Sequence, residues 1–121
     1  MTNRSFLSYN KLLKKQTKGE IIMLSFEKTF EESKLIVTLD GKLDTGTTPE
    51  LTAAIEEDAE KAESIVIDMA NLKYISSAGL RLLLSLHKKM AKKGGLTIKN
   101  VNETNMEILD FTGFADILNI E

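Results

Sequence analysis

From Leu24 the chain alternates. Leu24, Phe26, Lys28 and Phe30 fall on one side of an extended segment and Ser25, Glu27 and Thr29 on the other, which predicts a strand. Glu31-Glu32-Ser33 reads as a turn, and Lys34 to Leu39, centred on Leu35-Ile36-Val37, as the paired strand. Asp40 to Gly46, with two glycines, reads as a loop. The period then changes. Leu51, Ala54, Ile55, Ala59 and Ala62 recur at helical spacing and predict a helix ending at about Lys61 or Ala62. Its start is marked twice: Thr48 can cap with Pro49 in the first helical position, or Thr47 and Glu50 can form a capping box. Ser64 to Met69, with Ile65-Val66-Ile67, has the short apolar run of a strand covered by helices. A second helix is predicted from Ser77 to about Lys93, stopped by Gly94-Gly95, followed by a strand from Leu96 to Val101. Asn102 can cap a third helix, Glu103 to Phe111, closing at Gly113, and Phe114 to Ile120 is either a helical turn or a last strand. Strands alternating with helices predict an α/β sandwich with right-handed crossovers between parallel strands.

Composition sharpens this picture in a few places. A chain of 121 residues with 42% apolar and 28% charged residues suits one domain with one core. There is no cysteine and one histidine, which excludes disulfides, a thiol nucleophile and a histidine metal cluster. A net charge of −2 implies no bulk attraction to nucleic acid, and no apolar run reaches the roughly 18–20 residues of a membrane span. The charge is uneven. In residues 1–22, Arg4, Lys11, Lys14, Lys15 and Lys18 stand against Glu20, a net of +4, so the remainder carries −6. Phe6-Leu7 and Leu12-Leu13 could make a short basic amphipathic helix, but a disordered tail is the favoured structural reading. Lys18-Gly19-Glu20-Ile21-Ile22-Met23 can also be encoded by a purine-rich bacterial ribosome-binding site followed by a start codon. Residues 1–22 are therefore expected to be a disordered extension or translated leader, and residues 23–121 the domain.

Chemistry concentrates at the start of the second helix, in Tyr74-Ile75-Ser76-Ser77-Ala78-Gly79-Leu80-Arg81. A helix N-terminus carries unpaired N–H groups and partial positive charge, so a serine there can be a cap or a place that welcomes phosphate. Capping alone explains one of the two serines. A serine hydrolase would need a base, and the one histidine, His87, lies ten residues from Ser77, about 15 Å along a helix, on the apolar arc. The pattern G-x-S-x-G is also missing, since Ile75 stands two before Ser77. No phosphate-cradling glycine loop is present. Asp40, Asp44 and Asp68 could converge at the loop end of the sheet. Asp44, in its glycine-flanked loop, is the better functional candidate, and metal binding by the three is the less favoured alternative. Lys88, Lys89, Lys92 and Lys93 oppose the negative pole of the second helix or form a basic docking face.

Gly41-Lys42-Leu43-Asp44, Ile65-Val66-Ile67-Asp68, the Ile75-to-Arg81 segment and Phe111-Thr112-Gly113-Phe114 together resemble a STAS domain, and more narrowly the stand-alone bacterial anti-sigma factor antagonists, over about residues 24–120. The resemblance implies a mixed four- to five-stranded sheet with helices mainly on one face. It implies a cytoplasmic, non-enzymatic partner switch with no cofactor. The unphosphorylated protein binds an anti-sigma factor that is also a serine kinase, phosphorylation ends the complex, and a PP2C-like phosphatase resets it. Ser77 falls at the phosphoacceptor position, with Ser76, which stands where many members carry aspartate, the less favoured acceptor; Asp44 matches the loop aspartate. The partner face implied comprises Asp44, Ser76, Ser77, Ala78, Gly79 and Arg81. Two other readings stand beside it: a STAS subunit of a lipid-transport or signalling complex with the serine unused, and a small serine hydrolase.

Overall fold

The computed structural model describes the backbone of residues 6–17 and 20–121 and the side chains of residues 24–121. Six strands form one sheet in the order β1-β2-β3-β4-β5-β6: β1 is Phe6–Thr17, β2 Glu20–Glu31, β3 Lys34–Leu43, β4 Ser64–Ile75, β5 Leu96–Lys99 and β6 Asn119–Ile120. The pairs β1·β2 and β2·β3 are antiparallel; β3·β4, β4·β5 and β5·β6 are parallel. The crossovers carry α1 (Thr48–Lys61), α2 (Ser77–Met90) and α3 (Glu103–Thr112). The closing segment resolves into both of its expected forms, a 3₁₀ turn at Phe114–Asp116 and then β6.

The alternation read from the sequence sets the layers. Leu24 and Phe26 on β2, Leu35, Val37 and Leu39 on β3, Ile65, Ile67 and Met69 on β4, and Leu96 and Ile98 on β5 are all buried on one face. Against them pack Leu51, Ile55 and Ala59 of α1, Leu80, Leu83, Leu86 and Met90 of α2, and Leu109 of α3. Successive right-handed crossovers that advance one strand at a time in one direction return every helix to the same side. The intervening sheet residues, such as Ser25, Ile36, Thr38 and Thr97, are half-buried on the uncovered face.

Four expectations change. The sheet has six strands rather than four or five, because β1 adds to its edge and the closing segment ends in a strand. The N-terminal extension is not disordered from Phe6 to Thr17: these residues pair along β2 from Phe6↔Glu31 to Thr17↔Glu20, which satisfies backbone groups that a free β2 edge would leave open. Residues 1–5 and 18–19 of the same extension lie outside the described residues. Strand β3 runs on through Gly41, at φ 110°, to Leu43, and β4 runs on to Ile75, where loops were expected; register shifts between Thr38 and Asp40 and between Gly41 and Lys42 let the pairing continue past the irregular positions.

Electrostatic ties join the layers. Lys28 on β2 donates to the Asp58 carboxylate at 2.7 Å and to the Ala54 carbonyl at 2.8 Å, fastening α1 to the antiparallel half of the sheet. Lys93, just past α2, donates to the carbonyls of Ala59, Glu60 and Ala62 at 3.2, 2.8 and 2.8 Å, so it serves the C-terminus of α1 rather than the end of its own helix. Lys89 pairs with Glu60 at 3.0 Å.

Candidate functional site

Parallel strands feeding helices on one face bring the starts of α1, α2 and α3 to one end of the sheet. At α2 the two adjacent serines take different places. Ser76 is the N-cap, with extended backbone (φ −94°, ψ 177°), and its Oγ accepts the Gly79 N–H at 3.4 Å. Its carbonyl accepts the Leu80 N–H at 2.9 Å, opening the helix. Ser76 is half-buried by this role, whereas Ser77, the first helical residue, is exposed. One serine builds the helix start and the next presents its hydroxyl beyond it.

The β3–α1 loop is locked to this start. The Ser76 N–H donates to the Leu43 carbonyl at 2.9 Å. A Cβ on Gly79 would lie 2.9 Å from Ile75 Cγ1 and 3.0 Å from Leu43 Cδ2 and Cγ, so the residue type at 79 is dictated by the close approach of the helix to the ends of β3 and β4. Gly79 is buried, and its place in the expected partner face is a packing role. Ala78 is half-buried beside it and Arg81 is exposed one turn further on.

Asp44 has a visible local task. Its Oδ1 accepts the N–H groups of Gly46 at 2.9 Å and Thr47 at 3.0 Å, and its carbonyl accepts both the N–H and the hydroxyl of Thr48, at 2.9 and 2.6 Å. Neither expected threonine cap forms at α1. Thr47 holds the N-cap position without a side-chain cap bond, and Thr48 already lies in the helix; the aspartate takes the amides instead. Thr47, expected only as a possible capping-box residue, is instead buried at the centre of the loop, accepting the Asp44 N–H at 3.0 Å and donating to the Lys42 carbonyl at 2.9 Å. The spacing Asp44-x-x-Thr47, which favours side-chain-to-backbone turns, was the signal that could have found it.

The remaining candidates disperse. Asp40 and Asp68 lie within β3 and β4, and Asp68 Oδ1 accepts the Ala70 N–H at 3.0 Å and the Asn100 amide at 3.1 Å. No group of three or more acidic, histidine or cysteine residues able to hold a metal exists among the described residues. His87 is half-buried in the last turn of α2, at the opposite end of the helix from Ser77, so the two cannot act as base and nucleophile. At α3, Asn102 caps by accepting the Asn105 N–H at 2.8 Å, and the side-chain amides of both asparagines donate to the Leu72 carbonyl of β4 at 2.8 Å. This grip, in which Asn105 is fully buried, was also missed.

The STAS domain family matches residues 25–121, the whole chain from β2 onward apart from the first residues of that strand. The chain is a STAS domain. Among curated relatives, this STAS domain is 31% identical over 100 residues to an anti-sigma F factor antagonist of Paenibacillus polymyxa, covering 80% of this chain and 86% of the relative. It is 29% identical over 90 residues to the anti-sigma-B factor antagonist of Bacillus subtilis (strain 168), covering 74% and 83%. Among solved structures, the fold matches an anti-sigma factor antagonist from Mycobacterium paratuberculosis with a TM-score of 0.73 at 21% identity, over 80% of this chain and 84% of the other. It also matches the Bacillus cell fate determinant SpoIIAA in the phosphorylated form with a TM-score of 0.64 at 18% identity, over 79% and 90%. Among the described residues no helix is long and apolar enough to cross a membrane.

Proposed function

We propose that this STAS domain is a cytoplasmic anti-sigma factor antagonist that works by partner switching. In the unmodified state the surface around the α2 start binds an anti-sigma factor that is also a serine kinase, and the sigma factor is released. The kinase transfers the γ-phosphoryl group of ATP to the Ser77 Oγ, whose proton passes to the kinase, and ADP leaves. A PP2C-like phosphatase returns the serine by hydrolysis to inorganic phosphate. The observation that carries this reading is the division of labour at the helix start: Ser76 is occupied as the cap and Ser77 is exposed. Relatives named as antagonists at about 30% identity over most of the chain support the partner class. A fold neighbour known in both an unphosphorylated and a phosphorylated form supports the chemistry.

Within the proposed face, Ser77, Ala78 and Arg81 offer surface. Asp44, Ser76 and Gly79 set its shape. The exposed phosphate would bring a charge of roughly −1.5 to −2 to a surface that a partner must desolvate. The test is mass-spectrometric site mapping after incubation with the cognate kinase, paired with affinities of Ser77→Ala and Ser77→Asp. Phosphate on Ser77, persistent binding by Ser77→Ala and weak binding by Ser77→Asp are expected. Phosphate on Ser76, or wild-type affinity for Ser77→Asp, overturns the assignment.

A further inference from the structure

Helix α2 contains no aspartate or glutamate over its whole length, Ser77–Met90. Its exposed positions Ser77, Arg81, Ser85 and Lys88 recur four, four and three residues apart, so they form one stripe on the outer face, with Ser77 at its head. The Arg81 side chain makes no ion pair or hydrogen bond among the described residues. An unpaired guanidinium thus lies one turn beyond the exposed serine, on a helix that offers it no carboxylate. Direction matters as much as spacing. Helical Cα–Cβ bonds tilt toward the N-terminus, so a long side chain covers the turn before its own Cα. That tilt favours reach from Arg81 toward Ser77 over reach toward Ser85, although both are four residues off.

We infer that Arg81 is the built-in counter-ion of a phosphate on Ser77, folding back one helical turn to hold it through the planar guanidinium fork. The inference rests on the reading that Ser77 is the modified residue. Guanidinium and phosphate pair in two parallel N–H···O bonds, a geometry that lysine cannot reproduce. Asp44 directs its Oδ1 to the amides of Gly46 and Thr47 within its own loop. Lys42, Lys73 and Tyr74 are the other ionisable residues on the strand ends leading to this helix start, all exposed.

The pair gives the switch a second action. Before modification, Arg81 is available to a carboxylate on the partner. Afterwards it is turned onto its own serine, so one event both adds an anion to the face and withdraws a cation from it.

The test bypasses the kinase. Phosphoserine is encoded genetically at position 77 in the full chain, in wild type, Arg81→Gln and Arg81→Lys backgrounds, and its second ionisation is followed by phosphorus NMR. A pair of this kind should place the wild-type midpoint about 0.15–0.4 pH unit below that of Arg81→Gln. Arg81→Lys should fall between them. Phosphoserine encoded at position 85 should show no dependence on Arg81. Coincident midpoints at position 77, or an equal response at position 85, overturn the pair and leave the Ser77 assignment standing. Kinase mapping to another residue would overturn that assignment while the encoded proteins still report on the pair.

Discussion

At the scale of single residues, the two serines make a sharp contrast. Ser76→Ala removes the α2 cap and should cost about 0.5–1 kcal/mol, the lower part of the capping range because the Oγ-to-amide distance is 3.4 Å. Ser77→Ala touches no cap and should stay within about 0.5 kcal/mol of wild type. Urea unfolding of both variants checks this, and equal losses would contradict the assignment of the cap. Gly79→Ala opposes two effects. Alanine improves helix propensity by about 1 kcal/mol, but its methyl meets Ile75 Cγ1 at 2.9 Å and Leu43 Cγ at 3.0 Å, both inner atoms of buried side chains. Overpacking of about 1–3 kcal/mol wins. The melting temperature should fall, and a rise would show that the loop yields freely. Here the sequence was half legible. Serine at a helix start announces a cap, but Ser76 and Ser77 are interchangeable as letters until the backbone of Ser76 is seen to be extended. Asp44 was visible as a residue of interest, but its amide partners at Gly46 and Thr47 belong to a three-dimensional turn.

At the scale of elements, the helices were the most readable part, because their apolar spacing and punctuation by Pro49, Gly94-Gly95 and Gly113 coincide. Strand ends were the least readable. Asn71, Lys73 and Tyr74 are exposed, and the alternation that marks Ser64–Met69 lapses at Ala70, yet β4 continues to Ile75 because its register against β3 shifts. The joint between α1 and α2 was legible in its charges and misassigned in its target. Lys93→Met should destabilise the protein by about 0.5–1.5 kcal/mol through the lost bonds to the α1 carbonyls, measured by urea unfolding against Lys92→Met as a neutral control. Nearby, hydrogen bonding to Lys89 and its charge lower the pKa of Glu60 from 4.5. A carboxylate depressed in the folded state adds stability above its unfolded pKa, and that stability disappears as pH falls through the folded value. Wild type and Glu60→Gln should therefore differ slightly at neutral pH and converge in acid. Salt should narrow the gap, because this pair is exposed and screened.

At the scale of the whole molecule, the core among the described side chains begins at Leu24 and the family match at residue 25. We propose accordingly that residues 23–121 form the domain and fold without the preceding strand. The chain shortened to 23–121 should melt within a few degrees of full length, by circular dichroism, and retain partner binding. A large drop would show that β1 is an integral part of the sheet. That strand escaped the sequence reading for a physical reason: its pairing partner is the other half of a hairpin whose register is set by backbone bonds, and the basic residues along it argued for solvent.

From β3 to β6 the strands lie across the sheet in the order in which they are made. Open parallel sheets acquire a ligand crevice where that order reverses, since two successive helices then leave on opposite faces and part. No reversal occurs along these four strands. The parallel half of the sheet therefore has no crevice of that kind. On the proposed function, the signal is then carried on the surface, as one erasable mark at the head of α2, and is read by whatever next comes to rest there.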